Sequence, residues 1–270
     1  MMAGKNQTSD IAPAIAIVTV SRNNANELER TLASAKLQTA RNFRHIVIDS
    51  SQNQKEAKEL VEGFGAEFHW VSPAGVYPAM ALGLSKLKDN EYCWFLNSGD
   101  SFASDNAIAT VNQALTGNLP QLPTWVVGQV TLEGPTGDRV YGPSGKKEAS
   151  IESIRKGRTW FPHPSTVVSV PALREIEPFD NTFDIAQDYL ISLKLLERFG
   201  PPQLVNQVLS TFQLGGLSSQ KTLKTGLEAI RARIMVFGWS QIHREVWNVV
   251  RVVVGRPLKK VTEKLITRNG

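Results

Sequence analysis

The sequence predicts an α/β protein in which a mixed, mostly parallel sheet lies between helices and a C-terminal helical extension follows. Three observations predict it. Apolar, β-branched runs alternate with helically spaced segments over about the first hundred residues. Several of those runs stop abruptly in small polar loops carrying Ser, Asn or Asp, as strands do at the ligand-binding rim of such sheets. Beyond residue 125 the pattern changes to longer strands, a Gly/Pro-rich excursion and then helices.

Element by element, Ile15 to Val20 is a continuous β-branched run after Pro13, followed by the polar loop Ser21-Arg22-Asn23-Asn24 and by helical spacing through Glu27 to Leu32. His45 to Asp49 is a second buried strand, and Gln54 to Phe64 a helix stopped near Gly63 and Gly65. Phe68 to Val71 makes a short third strand. Gly75-Val76-Tyr77-Pro78 opens a helix with Pro in its first turn, and Met80 to Leu87 continues it. Tyr92 to Leu96 is the next strand, ending in Asn97-Ser98-Gly99-Asp100. Trp125 to Leu132 with the piece from Glu133 to Gly145 suggests a hairpin or an extended excursion, and Thr166 to Val170 another strand. Asp184 to Phe199 is an amphipathic helix closed by Gly200-Pro201-Pro202, and two helical stretches follow, Gln220 to Ile234 and Val236 to Val254. There is no internal repeat or low-complexity linker, so residues 1–219 are expected to form the main unit and 220–270 a basic helical extension.

Composition narrows the function classes. A hydrophobic share of 41% over 270 residues supports a full globular core, and no apolar run approaches the roughly 18 residues that span a bilayer. Met1 to Asp10 lack a secretory pattern, so a cytoplasmic address is expected. The lone Cys93 sits inside an apolar run and reads as a core residue rather than a nucleophile. The net charge of +5 is concentrated in the tail, where from Lys221 onward eleven Lys and Arg face three Glu. With Trp239, Trp247 and a run of valines, that tail suits an anionic membrane face or an ordinary helix with a solvated basic side. No recognition motif for nucleic acid is present, so no nucleic-acid partner is expected.

The candidate chemistry lies in the loops. Asp100 ends a buried strand, where a carboxylate either closes a turn or holds a divalent cation and, through it, a diphosphate. Asp49 either accepts hydrogen bonds from a ribose or base, or makes a turn. Gly75 permits close backbone approach before a helix N-terminus, which either favours an anion or is a plain junction. His163 is stiffened between two prolines, packed in a turn or aimed at a ligand. Asp184 and Asp188, one helical turn apart, would share a face; one is a general base toward a hydroxyl, or they are a cap and a solvated acid. Gly215 and Gly216 can wrap a ligand or simply turn.

Taken in order, these motifs resemble the family 2 glycosyltransferases of the GT-A fold, in the bacterial branch that builds exopolysaccharide, capsule or cell-envelope glycolipids. The resemblance spans roughly Ile15 to Ser218 and rests on Ile17-Val18-Thr19-Val20-Ser21-Arg22-Asn23, His45 to Asp49, Ala74 to Met80, Phe95 to Asp100, His163-Pro164-Ser165-Thr166, Phe179-Asp180 with Ile185 to Tyr189, and Gly215-Gly216-Leu217-Ser218. It implies a metal-dependent, inverting transferase that uses a nucleotide-sugar donor, with UDP-sugars favoured, and a saccharide or lipid-linked acceptor. Thr19, Ser21, Arg22, Asn23, Asp49 and Asn97 would bind the nucleotide, and Asp100 the Mg²⁺ or Mn²⁺. Gly75, Tyr77, Met80, His163 and Gly216 would touch donor or acceptor, and Asp188 would be the base. The protein would work in the cytoplasm or peripherally on the inner membrane face. Three departures from the family pattern stand out: Ser98 replaces the first acid of the metal motif, Pro78 an Asp, and Ala81 an Asn. They leave a second reading open, a catalytically weakened relative that binds nucleotide sugars or serves as a scaffold. A sugar-phosphate nucleotidyltransferase is disfavoured by the lack of a glycine-rich basic loop after the first strand.

Overall fold

A computed structural model describes residues 13–117, 121–134, 138–141, 152, 154, 161–213 and 222–238. The chain runs β1 (Ala14–Ser21), α1 (Ala25–Lys36), β2 (Phe43–Asp49), α2 (Gln54–Gly63), β3 (Glu67–Trp70), α3 (Val76–Ser85), β4 (Glu91–Phe95), β5 (Ser101–Phe102), α4 (Ala107–Thr116), β6 (Trp125–Glu133) and β7 (Arg139–Tyr141). After a one-turn 3₁₀ segment at His163–Ser165 come β8 (Thr166–Ser169), α5 (Val170–Glu175), α6 (Gln187–Phe199), β9 (Gln203–Gln213) and α7 (Thr222–Phe237).

The strands form one mixed sheet in the order β3-β2-β1-β4-β8-β6-β9-β5, with β7 hairpinned to β6. β1, β2, β3 and β4 are parallel to one another. β8 runs antiparallel to both β4 and β6, and β9 returns parallel to β6. In β1 the side chains alternate as a pleated strand requires. Ala16, Val18 and Val20 join a core with α3, α5 and α6, while Ile15 and Ile17 join another with α4. Both faces are covered, which is why β1 reads as an unbroken apolar run rather than an alternating one. Cys93 is buried in this core, and burial pushes its thiol well above the usual range, consistent with the expected structural role.

The first six elements follow the sequence reading to within a few residues. Four elements were not read from the sequence: the two-residue β5, the helix α4, the short helix α5 and the long β9. α4 does carry a helical signal, since Ala107, Ile108, Val111 and Leu115 are its buried residues. Other boundaries shift. The strand expected through Val170 ends at Ser169, because Pro171 occupies the first turn of α5. The helix expected to stop at Ile234 continues to Phe237 and is capped at Gly238, whose N–H bonds Ile234 O at 2.8 Å with φ +81°. The helix expected from Asp184 starts at Gln187, so Asp184 and Asp188 do not share a helical face. The second tail helix lies outside the described residues beyond Gly238. α7 packs on α6, and its Ala232 is fully buried in the main core.

Candidate active site

The loop after β4 is built from below. Gly99 has φ +100°, a conformation suited to glycine, and its N–H bonds Thr31 Oγ1 at 3.1 Å. The same hydroxyl donates to Asp100 O at 2.6 Å, so the fully buried Thr31 on α1 fastens both sides of the turn. Arg30, paired with Glu133 at 2.6 Å, stands nearby and approaches Ser101 Oγ at 3.5 Å.

Asp100 is buried, and desolvation pushes its carboxyl up to about 8. Backbone N–H groups of Gln213 and Asn97 and the charge of Arg30 pull the other way without prevailing. Its Oδ2, together with Asn97 Oδ1 and Ser98 Oγ, is buried with no hydrogen-bond partner. Such atoms are costly unless something else meets them. Three hard oxygen donors on one turn fit Mg²⁺ or Mn²⁺, and one carboxylate sharing the ion with substrate phosphates and water is a usual arrangement for Mg²⁺. Among the described residues no three His, Cys, Asp or Glu side chains cluster as a complete metal cage.

His163 faces this turn. The 3₁₀ segment that carries it is pinned by Trp94 Nε1 donating to Pro164 O at 2.8 Å, and by Ser165 Oγ donating to Gln129 O at 2.7 Å. His163 Nε2 is 3.9 Å from Asp100 Oδ2 and Nδ1 is 3.8 Å from Asp188 Oδ2. Asn97 Nδ2 lies 3.3 Å from Nε2; an amide nitrogen only donates, so the ring proton belongs on Nδ1, toward Asp188. Burial lowers the imidazole's proton affinity, and the Asp188 carboxylate partly restores it. Asp188, in the first turn of α6, turns one oxygen to its neighbour's N–H, with Oδ1 2.8 Å from Tyr189 N, and the other toward His163. Asp100, His163 and Asp188 therefore stand in one line, two carboxylates separated by a single imidazole.

The structure treats the remaining expected site residues unequally. Ser21, Arg22 and Asn23 do form a rim loop beside Asp49. Ser21 Oγ and Arg22 N–H donate to Asn24 Oδ1, while Asn23, at φ +52°, is tied to the next loop through Ser51 Oγ at 2.8 Å and Gln52 N–H at 2.9 Å. A cleft of about 210 Å³ opens between this loop, Ser51 and α2. Asp49 is fully buried and makes the turn: its two oxygens accept from Ser51 N–H and Ser51 Oγ, each at 2.8 Å. Thr19 is not on the rim. It is fully buried, donates to Leu96 O at 2.6 Å and therefore accepts from His45 Nε2 at 2.8 Å, so the expected nucleotide contact gives way to a strand-locking role. Met80 likewise packs in the core against the sheet rather than facing a ligand. Tyr77 does not turn its hydroxyl to the cleft; it donates to Ile185 O at 2.5 Å and accepts from Gln187 N at 3.3 Å, and burial raises its ionisation well above the ordinary phenol range. Gly75, at φ +109°, forms the N-terminal boundary of α3. Gly216 lies outside the described residues.

Two residues that the sequence reading missed prove structural to the site: Thr31 under the Asn97–Asp100 turn and Glu228 behind α6. Glu228 had one signal, being among the few acids in a basic tail. Asp184, expected as a possible base, is instead exposed and paired with Lys224. Gln187 is buried and faces the backbone of Asp180, with its amide nitrogen donating to the carbonyl and its oxygen accepting the N–H at 2.7 Å each.

No protein-family model matches the chain. Two curated proteins of Mycobacterium tuberculosis do, the uncharacterized glycosyltransferases MT1564 of strain CDC 1551 / Oshkosh and Rv1514c of strain ATCC 25618 / H37Rv. Each is 28% identical over 215 residues, spanning 78% of this chain and 79% of the relative. Among solved structures, S. aureus TarS superposes with a TM-score of 0.59 at 14% identity, over 80% of this chain; the chain spans only 39% of that protein's length. The 1–349 fragment of TarS in complex with UDP-GlcNAc gives a TM-score of 0.62 at 12% identity, covering 81% of this chain and 66% of the fragment. The mannosyltransferase PcManGT of Pyrobaculum calidifontis, in complex with GDP-Man and Mn²⁺, gives 0.55 at 14%, covering 82% and 65%. The structural likenesses establish the fold.

Proposed function

We propose that the chain, whose fold is of the GT-A type, is a family 2-like glycosyltransferase that transfers one sugar, with inversion, from a nucleoside-diphosphate donor to a hydroxyl of a cell-envelope or polysaccharide acceptor. The observation that carries this reading is the line Asp100, His163, Asp188: a buried, underbonded carboxylate at one end and a half-exposed carboxylate at the other, each under 4 Å from one imidazole. The UDP-GlcNAc and GDP-Man bound by the structural neighbours support a nucleotide-sugar donor, and UDP-sugars are favoured.

In this mechanism the loop Ser21 to Asn23 holds the nucleoside, and the buried Asp49 braces the facing Ser51 loop beneath it. Asp100, with Asn97, Ser98 and His163 beside it, would hold Mg²⁺ or Mn²⁺. The cation supplies charge neutralisation for the departing diphosphate. Asp188 takes the acceptor's hydroxyl proton as that oxygen forms its bond to the anomeric carbon. The carbon–oxygen bond to the diphosphate breaks on the opposite face, and its electron pair leaves with the nucleoside diphosphate. The Nδ1–H of His163 orients the Asp188 carboxylate.

Asp188→Asn tests the base. Transfer should fall by about 10²- to 10⁴-fold, the usual span for a general base, while donor affinity stays at the wild-type level. A calorimetric screen of UDP-, GDP- and dTDP-sugars with and without Mn²⁺, repeated on Asp100→Ala, tests the donor site; binding that requires metal and is lost in the variant is expected. Donor binding without transfer to any acceptor would instead favour the weakened-relative reading that Pro78, Ala81 and Ser98 suggest. For the acceptor, we propose peripheral attachment through residues 220–270 to an anionic inner membrane face. Leu223 and Leu227 support this, being exposed on the outer side of α7. Among the described residues no helix is long and apolar enough to cross a membrane. Flotation on phosphatidylglycerol vesicles, lost when residues 239–270 are removed, is the expected outcome.

A further inference from the structure

We propose that the C-terminal helix α7 is a working part of the active site, through Glu228, which together with Tyr77 positions the helix turn carrying Asp188. The inference rests on the reading of Asp188 as the base and adds what holds it in place.

The segment that leads into α6, residues 182–186, is irregular, and its backbone donors need partners. Glu228 supplies them. Its carboxylate is buried and accepts from Ile185 N and Ala186 N at 2.9 Å each and from Asp184 N at 3.3 Å. Three consecutive N–H groups thus wrap one carboxylate that comes from a helix more than forty residues away in sequence. The same face of α7 holds the segment at two more points. Lys224, one turn before Glu228, pairs with Asp184, and Arg231, one turn after, donates to Thr182 O at 3.1 Å and Thr182 Oγ1 at 2.7 Å while lying over the Phe183 ring. From the opposite side Tyr77, on α3, bridges Ile185 O and Gln187 N.

The backbone of the four residues before Asp188 is therefore gripped by two side chains from elements distant in sequence, neither of them hydrogen-bonded to Asp188 itself. Misplacement of a catalytic group by about 1 Å can cost on the order of 100-fold in rate. Glu228 and Tyr77 are accordingly positioning residues: their loss should leave nucleotide affinity intact and lower turnover. The tail boundary near residue 220 thus divides sequence patterns while α7 completes the site.

The test compares Glu228→Gln and Tyr77→Phe with the wild type and with Val111→Ala, a core truncation on α4. UDP affinity in Mn²⁺ is measured by calorimetry, kcat and KM by UDP release from the donor that binds, and exchange of the 184–188 amides by hydrogen–deuterium mass spectrometry. The expected result is faster exchange confined to those amides and a fall in kcat of about 10- to 100-fold, with UDP affinity and donor KM within about twofold. Val111→Ala should keep its kcat below its own melting temperature, and Glu228→Asp should recover part of the loss. Wild-type kcat in Glu228→Gln and Tyr77→Phe, or a loss of UDP affinity that matches the loss of turnover, overturns the proposal. An Asp188→Asn enzyme at full rate overturns both this proposal and the base assignment; an inactive Asp188→Asn beside fully active Glu228→Gln and Tyr77→Phe overturns this one alone.

Discussion

At Thr31, one hydroxyl serves two masters: it accepts from Gly99 N–H and donates to Asp100 O, and it is fully buried. Replacing it by Val keeps the volume and removes both bonds, leaving the Asp100 carbonyl without this donor and Gly99 N–H with only its longer bond to Glu27 O at 3.3 Å. Thr31→Val should therefore cost about 1–3 kcal/mol in urea unfolding and weaken Mn²⁺-dependent nucleotide binding. The residue is silent in the sequence, where it is one threonine inside an amphipathic helix. Asp49 and Thr19 make the complementary point. Both stand at positions that the resemblance associates with the nucleotide. Asp49 is at the rim with its oxygens committed to Ser51, and Thr19 is sealed inside the sheet between Leu96 O and His45. Thr19→Val should leave donor affinity within about twofold and instead lower stability by about 1–2 kcal/mol, read from the same urea curves, because it strands the His45 donor.

At the scale of elements, termini decide what each helix can do. α3 is preceded by its N-cap Gly75, whose φ of +109° and ψ of 171° lie in a region that residues with a Cβ avoid. Gly75→Ala should cost about 1–3 kcal/mol and change the approach of Tyr77 to Ile185; thermal melts and the 184–188 amide exchange report the two effects separately. α6 begins three residues later than its amphipathic pattern implies, because the Asp184, Ile185 and Ala186 N–H groups go to Glu228 rather than into a helical turn. That delay takes Asp184 off the helix and leaves Asp188 as the carboxylate facing His163. Periodicity sees side-chain spacing alone. The competition for backbone donors that set this boundary comes from a helix distant in sequence.

For the whole molecule, the sheet's packing stores a pH dependence. His45 is buried in β2, and desolvation lowers its pKa from 6.5 to about 4. An unfolded chain binds a proton there near the ordinary value while the folded chain does not. His45 therefore leaves stability unchanged above about pH 6.5 and reduces it progressively as pH falls toward about 4, by about 3 kcal/mol in total. Denaturant titrations of the wild type and His45→Gln at pH 7.5, 6 and 5 isolate this limb: the wild type should lose stability relative to His45→Gln as pH falls, while Asp100, with its carboxyl pushed up to about 8, gives both proteins the same opposite slope. At this scale too the basic tail acquires a second meaning: α7 buries Glu228 and Ala232 against α6, so the stretch that composition sets apart is joined to the core by its first helix.

The sequence by itself determined the alternation of strands and helices through β4, the polar loops at three strand ends, the strand β6, and the candidate acids and histidine, because apolar periodicity and turn chemistry are local properties. Asp100, His163 and Asp188 were legible as candidates for the same reason: each ends or begins an element with a sharp polar signal. The tertiary structure decided that these three stand in one line, that Thr19, Met80 and Tyr77 turn away from it, and that Thr31 and Glu228 support it. Those outcomes depend on which buried donors and acceptors meet across 26 to 110 residues of chain, as Thr19 meets His45 and Tyr77 meets Gln187. A hydrogen bond between distant elements leaves no periodic trace in either, so only the folded chain reveals it.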